Sequence, residues 1–287
     1  VDHLGLARLQ TPGGGVDATL TGSTNVGTAV NSVVVQADGG LVFAGTFTAV
    51  NGTATPSIAR LGANGVLDAT FTANLGTGPN STVDCLVVQA DGKLVIGGRF
   101  TFLNGNAVNQ IARLNADGTL DNTFVSPPLG GNRSGFEEVL SVAVQADGKL
   151  VIGGDFTTVN ALAKDSVARL NANGSLDLTF TPPAIVTSNF DAAVNCVAVQ
   201  ANGKVVVGGR FTSADAQAVE GIMRLNVNGT LDTALGGAVR PVQSLVIQAD
   251  GKLVLGGGGG ITRLNPNGTV DNTFISAGLP YPLLSVA

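Results

Sequence analysis

Apolar residues along this chain fall in short β-branched runs, not in helical stripes. CLVVQ from Cys85, KLVIGGRFT from Lys93 and IARLN from Ile111 are examples. No window keeps a 3.6-residue apolar period without a glycine interrupting it, so helix is nearly absent from the expectation. The runs are punctuated by Asp-Gly or Asn-Gly, the strongest short-range hairpin signal. The pattern also repeats. The glutamine that ends the first run recurs at Gln36, Gln89, Gln145, Gln200 and Gln248, in steps of 53, 56, 55 and 48 residues. The arginine of the R-L-N run recurs at Arg8, Arg60, Arg113, Arg169, Arg224 and Arg263.

Each unit therefore reads as four strands: a (CLVVQ), b (KLVIGGRFT), c (IARLN) and d (TLDNTF). A meander of this kind, apolar on both faces and repeated every 48 to 56 residues, predicts an all-β chain folded as a β-propeller of four-stranded antiparallel blades. A β-solenoid is the alternative, but its coils run nearer to about 20 to 30 residues. Five complete blades are expected, near 30–73, 83–126, 139–182, 194–235 and 242–275, within a single domain spanning 1–287. A partial sixth would combine 4–22 with 283–287, whose Leu-Ser-Val-Ala repeats Leu140 to Ala143. Strand b of that closing blade is missing, so the chain is expected to be part of a longer protein. The unfilled edge is also a place for self-association.

The c–d hairpin is legible at residue level. With Ala116-Asp117-Gly118 as its loop, Leu114 faces Leu120 and Arg113 faces Asp121. The same eight-residue step gives Arg60/Asp68, Arg169/Asp177, Arg224/Asp232 and Arg263/Asp271, which are read as structural ion pairs. A residue type present in every blade serves the scaffold more readily than a single site, because recognition concentrates on variable loops.

Composition narrows the chemistry further. The 287 residues hold one His, two Cys, one Tyr and no Trp, which leaves no His-based metal site and no Ser-His-Asp triad. A net charge of −5 and a pI near 4.7 argue against a nucleic-acid partner, and no apolar run is long enough for a membrane helix. Cys85 and Cys196 share one strand-a register on non-adjacent blades, so they read as small buried thiols, not as a disulfide. Arg99, Asp155 and Arg210 share the register after the double glycine on three consecutive blades. Asp84 is a lone strand-a carboxylate and gives no acid–base pair. Asn115-x-Asp117-Gly118-x-x-Asp121 partly matches a calcium loop, but turn chemistry accounts for it more simply, so no cofactor is expected and calcium is the minor reading.

The stretch QADGKLVIGGRFTFLNGNAVNQIARLNADGTLDNTF resembles the delta-60 repeat, and the combined motif Q-x-[DN]-G-K, G-G-x-F-T and R-L-N-x-[DN]-G-x-L-D covers nearly the whole chain. The resemblance implies a bacterial propeller in an extracellular or cell-surface setting and supplies no catalytic residues. Two units depart from it: GGGGG replaces G-G-x-F-T in the fifth, and TPGGG replaces NADG in the first R-L half.

The d–a connections differ from one another in length and content. Arg133, Phe136, Glu137, Glu138, Phe190 and Asp191 on those loops are the candidate partner contacts. The expected function is a non-enzymatic structural or adhesive module, with a protein or glycan partner at the cell surface. The alternative is a glycan-binding or glycan-processing propeller acting through the d–a loop face.

Overall fold

The computed structural model describes residues 29–131, 136–187, 194–235, 241–258 and 260–275. Among them every repeat forms a three-stranded antiparallel sheet in which strand b lies between a and c. In the first repeat these are Val30–Val35, Leu41–Gly45 and Ile58–Leu61, and in the second Val83–Val88, Leu94–Gly98 and Ile111–Leu114. The third has Glu138–Val144, Leu150–Asp155 and Val167–Leu170; the fourth has Val194–Val199, Val205–Gly209 and Ile222–Leu225. The fifth has Val242–Ile247, Leu253–Gly257 and Gly260–Leu264.

Strand d differs from the expectation of a full fourth strand. It joins each sheet by one bridge only, as Leu61 to Leu67, Leu114 to Leu120, Leu170 to Leu176, Leu225 to Leu231 and Leu264 to Val270. The aspartate that follows ends the ladder by turning its carboxylate onto the next backbone N–H groups. Asp121 Oδ1 accepts from Thr123 N at 3.0 Å, and Asp177 Oδ1 from Thr179 N at 2.9 Å. In the first repeat the same device caps a short helix, Ala69–Leu75, with Phe71 N donating to Asp68 Oδ1 at 3.0 Å. The helix forms there because Ala-Thr-Phe-Thr-Ala-Asn-Leu holds no proline, and it buries Phe71 and Leu75. The matching stretches of the second and third repeats run into Pro127-Pro128 and Pro182-Pro183, which cannot continue a helix.

The a–b and c–d turns share one geometry. Gln89 N donates to Lys93 O at 2.8 Å and Gly92 N to Gln89 O at 2.9 Å, with Gly92 at φ +82°. Asn115, Gly118 and Thr119 repeat this, with Gly118 at φ +92°. The glycine closes the loop because an L side chain is strained in the left-handed region.

Strand a carries a bulge in every repeat. The register skips between Val30 and Ser32, Val83 and Cys85, Val139 and Ser141, Val194 and Cys196, and Val242 and Ser244. The second glycine of strand b lies opposite the skip and makes it possible. A Cβ on Gly98 would lie 2.2 Å from Thr82 O, and one on Gly154 2.0 Å from Glu138 O.

Contacts group the chain into two compact units, Val1–Ser126 and Pro127–Ala287. The first holds repeats one and two, the second repeats three to five. Within each, strand a of one repeat packs on strands a and b of the repeat before it. Side chains cross this boundary to the backbone: Leu86 N donates to Ser32 Oγ at 3.1 Å, and Val197 N to Ser141 Oγ at 3.0 Å. The phenylalanine of the G-G-x-F-T motif is the anchor below the b–c connections of the first four repeats. Phe47, Phe100, Phe156 and Phe211 are all buried. Each contributes about 1.5–3 kcal/mol of burial.

Candidate functional site

In the second to fifth repeats an arginine and a lysine converge on one aspartate per sheet. Arg113 Nε lies 2.7 Å from Asp121 Oδ2, Arg169 Nε 2.8 Å from Asp177, Arg224 Nε 2.7 Å from Asp232 and Arg263 Nε 2.8 Å from Asp271. A lysine that sequence reasoning passed over meets the same oxygen. Lys93 Nζ is 2.7 Å from Asp121 Oδ2, Lys149 2.9 Å from Asp177, Lys204 2.7 Å from Asp232 and Lys252 3.0 Å from Asp271. It is the lysine of the Q-x-[DN]-G-K motif, brought alongside because it precedes strand b, which pairs with strand c. Its recurrence 28 residues before the aspartate in the second, third and fourth repeats was the available signal.

Threonine completes the cluster, with Thr123 Oγ1 donating to Asp121 Oδ1 at 2.6 Å and Thr179 Oγ1 to Asp177 Oδ1 at 2.7 Å. Burial alone pushes these carboxyls up, but hydrogen bonds from lysine, threonine and arginine outweigh it. The Asp121 and Asp177 carboxyls are held well below the usual carboxylate range. Asp232, with Ala234 where the others have threonine, is held down to about 2. The guanidinium planes stack on phenylalanine: Arg113 on Phe124 at 5.0 Å, Arg169 on Phe180 at 4.6 Å and Arg263 on Phe274 at 4.7 Å.

The first repeat has Gly40 where the others have lysine, and its cluster is rearranged. Arg60 Nη1 lies 2.5 Å from Asp68 Oδ2, and its Nη2 bonds Asp38 of the a–b turn. A Cβ on Gly40 would come within 2.9 Å of Arg60 Nη2.

Arg133, Phe190 and Asp191 lie outside the described residues. Phe136 is exposed, at 68%, and Glu137 is half-buried. Glu138 is not on a loop surface: it is the first residue of a strand, 4% exposed, and faces Asp155, which is 0% exposed. Sequence reasoning did not bring these two carboxylates together, because the bulge at Val139 and Ser141 sets their register.

Asp84 occupies the bulge of the second strand a, where Asn31 Nδ2 donates to its Oδ1 at 3.2 Å and to Val83 O at 3.1 Å. Asn195, at the same place in the fourth repeat, donates to Val242 O at 2.8 Å. These side chains join neighbouring repeats. Cys85 and Cys196 are buried free thiols. Burial, together with the Asp84 carboxylate, pushes Cys85 up strongly, and burial pushes Cys196 up to about 12, so neither is a poised nucleophile. In the loop that partly matches a calcium site, Asp117 Oδ1 accepts from Thr119 N at 3.0 Å and from Thr119 Oγ1 at 2.7 Å, and Asp121 serves the cation cluster.

Among the described residues no helix is long and apolar enough to cross a membrane. Among curated proteins, no sequence matches the chain. Two solved structures resemble it at low identity. One is the extracellular domain of BT4673 from B. thetaiotaomicron, a protein assigned to a one-component system: 13% identity, TM-score 0.49, covering 88% of this chain. This chain spans 31% of that one, about a third of its length. The other is XC5397 from Xanthomonas campestris, a gluconolactonase: 15% identity, TM-score 0.51, covering 89% of this chain and 78% of the other, a likeness of fold. The model of a family described as a domain of unknown function (DUF5122) beta-propeller matches residues 36–71, 89–124, 145–180, 200–234 and 248–274. Those segments run from the glutamine of strand a to the end of strand d, the stretch that holds the cation–aspartate cluster, and the chain belongs to this β-propeller repeat family.

Proposed function

We propose that the chain is a non-enzymatic structural or adhesive module acting outside the cell, built of four-stranded blades in which strand d is held by its single bridge. Residues 4–22 and 283–287 contribute to a further blade in this reading, and self-association runs through that blade. The observation that carries the functional reading is the repeated lysine–aspartate–arginine cluster. In the second to fifth repeats the lysine of the a–b turn, the arginine of strand c and the aspartate after strand d satisfy one another, which leaves recognition to the unequal d–a connections. A partner protein or glycan at the cell surface then meets Phe136 and Glu137, with Arg133, Phe190 and Asp191 as further candidate contacts.

A second reading, a glycan-binding or glycan-processing propeller on the same loop face, draws on Phe136, an aromatic side chain 68% exposed, whose ring can stack on a sugar face. One experiment separates the two. Beads coated with the chain are tested for retention on bacterial surfaces, and a glycan panel is assayed in parallel for binding and reducing-sugar release. Retention that falls at least tenfold in Phe136→Ala, with no sugar released, is the expected result. Sugar release that Asp84→Ala abolishes would overturn the non-enzymatic reading.

A further inference from the structure

The glutamine that ends strand a is satisfied in some repeats and not in others. Gln36 Oε1 accepts from Arg60 Nε at 2.6 Å, and Gln89 Oε1 from Arg113 Nη1 at 3.5 Å. In the third and fourth repeats the guanidinium turns to the next repeat instead. Arg169 Nη1 donates to Val227 O at 2.6 Å and Arg224 Nη1 to Pro266 O at 2.8 Å. Gln145 Oε1 and Gln200 Oε1 are left buried with no hydrogen-bond partner. Gln145 is only 8% exposed, and its amide nitrogen reaches Gly203 O at 3.4 Å. A buried acceptor without a donor is destabilising, and here two of them line one place.

That place is a cleft of about 390 Å³ on the turn face of the second unit, between the third and fourth repeats. Gln145, Gln200, Asp147, Val199 and Val227 line it. A hollow of about 540 Å³ adjoins it, shares Arg169 and Val227, and adds Lys204 and Asn228. Lys204 and Arg169 disfavour a cation here, while Asp147 and the two amide oxygens disfavour an anion. A neutral group that both donates and accepts fits the mixture, and Val227, 53% exposed, offers an apolar wall.

We propose that this cleft binds a neutral saccharide, whose hydroxyls draw the Gln145 and Gln200 amides outward, donate to their Oε1 atoms and accept from Lys204. The proposal rests on the glycan-binding reading but moves the site from the d–a loops to the opposite, turn-bearing side of the repeats.

The test is calorimetric titration of the full chain with maltotriose, cellotriose, xylotriose and mannotriose. Binding of at least one is expected, weakened at least tenfold in Gln145→Leu and in Gln200→Leu. Gln200→Leu should melt no lower than the parent, because it removes an acceptor that nothing in the protein satisfies, whereas Gln145→Leu also gives up the 3.4 Å bond to Gly203 O and should melt slightly lower. Gln145→Met serves as a second variant should Gln145→Leu fold poorly. No binding of any of the four at millimolar concentration would overturn the proposal, as would binding that both leucine variants retain. Binding lost in Phe136→Ala but kept in the leucine variants would overturn this cleft while upholding the loop-face reading.

Discussion

One carboxylate per repeat organises the charge of the molecule. Asp121, 5% exposed, receives Lys93, Arg113 and Thr123, so removing either cation leaves the other in place. Removing the carboxylate strands two cations at once. Breaking a buried pair outright costs about 3–5 kcal/mol. Asp121→Asn should approach that range, whereas Lys93→Met and Arg113→Met should each cost about 1–2 kcal/mol by the same reasoning. Urea unfolding of the three variants checks the order, and equal losses would contradict it, because removing one cation would then cost as much as removing the shared carboxylate. The arginine and aspartate of this cluster were legible because eight residues and a three-residue loop fix their facing positions. The lysine was not, since its place depends on the b–c register and not on a local turn. The stranded oxygen of Gln145 had no sequence signal at all, because Gln36 is satisfied within the same motif.

At the scale of the element, glycine and its absence decide the outcome. In the double glycine of strand b the second residue faces the bulged backbone of strand a, while a Cβ on the first would meet side chains, Val194 at Gly153 and Cys196 and Val242 at Gly208. Strand d pairs over less length than its apolar pattern suggests, because the aspartate that follows it takes the geometry of a cap and ends the ladder after one bridge. The small hairpins of the b–c connections were not read at all, being two to four residues per strand. They include Phe102–Leu103 with Asn106–Ala107, and Phe211–Ala214 with Gln217–Ala218. Their tips need two consecutive left-handed residues. The first two repeats supply Asn51-Gly52 and Asn104-Gly105, but the later ones place Ala161 and Ala216 at φ +61°. Ala161→Gly and Ala216→Gly should therefore each stabilise the protein by about 1 kcal/mol, read as a rise in melting temperature.

Across the whole molecule, the repeat was legible from hairpin signals and spacing alone, and the matches to the propeller family recur at the same spacing, each beginning at the glutamine of strand a. The loops were not, because their placement depends on tertiary pairing: Leu129–Gly130 and Ile185–Thr187 of the d–a connections pair with the b–c hairpins. The central claim is that the repeated charges are scaffold, and pH tests it most directly. The cluster aspartates have folded-state pKa values below the ordinary value of 3.8, with Asp232 near 2. Their stabilisation is fully present above the unfolded-state value, and it is lost as pH falls toward the folded-state values, because the unfolded chain takes up protons first. Urea unfolding midpoints measured from pH 7 to pH 2 should stay level down to about pH 5 and then drop steeply between about pH 4 and pH 2. Midpoints that hold level through that range would contradict the account, since the clustered aspartates would then contribute nothing to the fold.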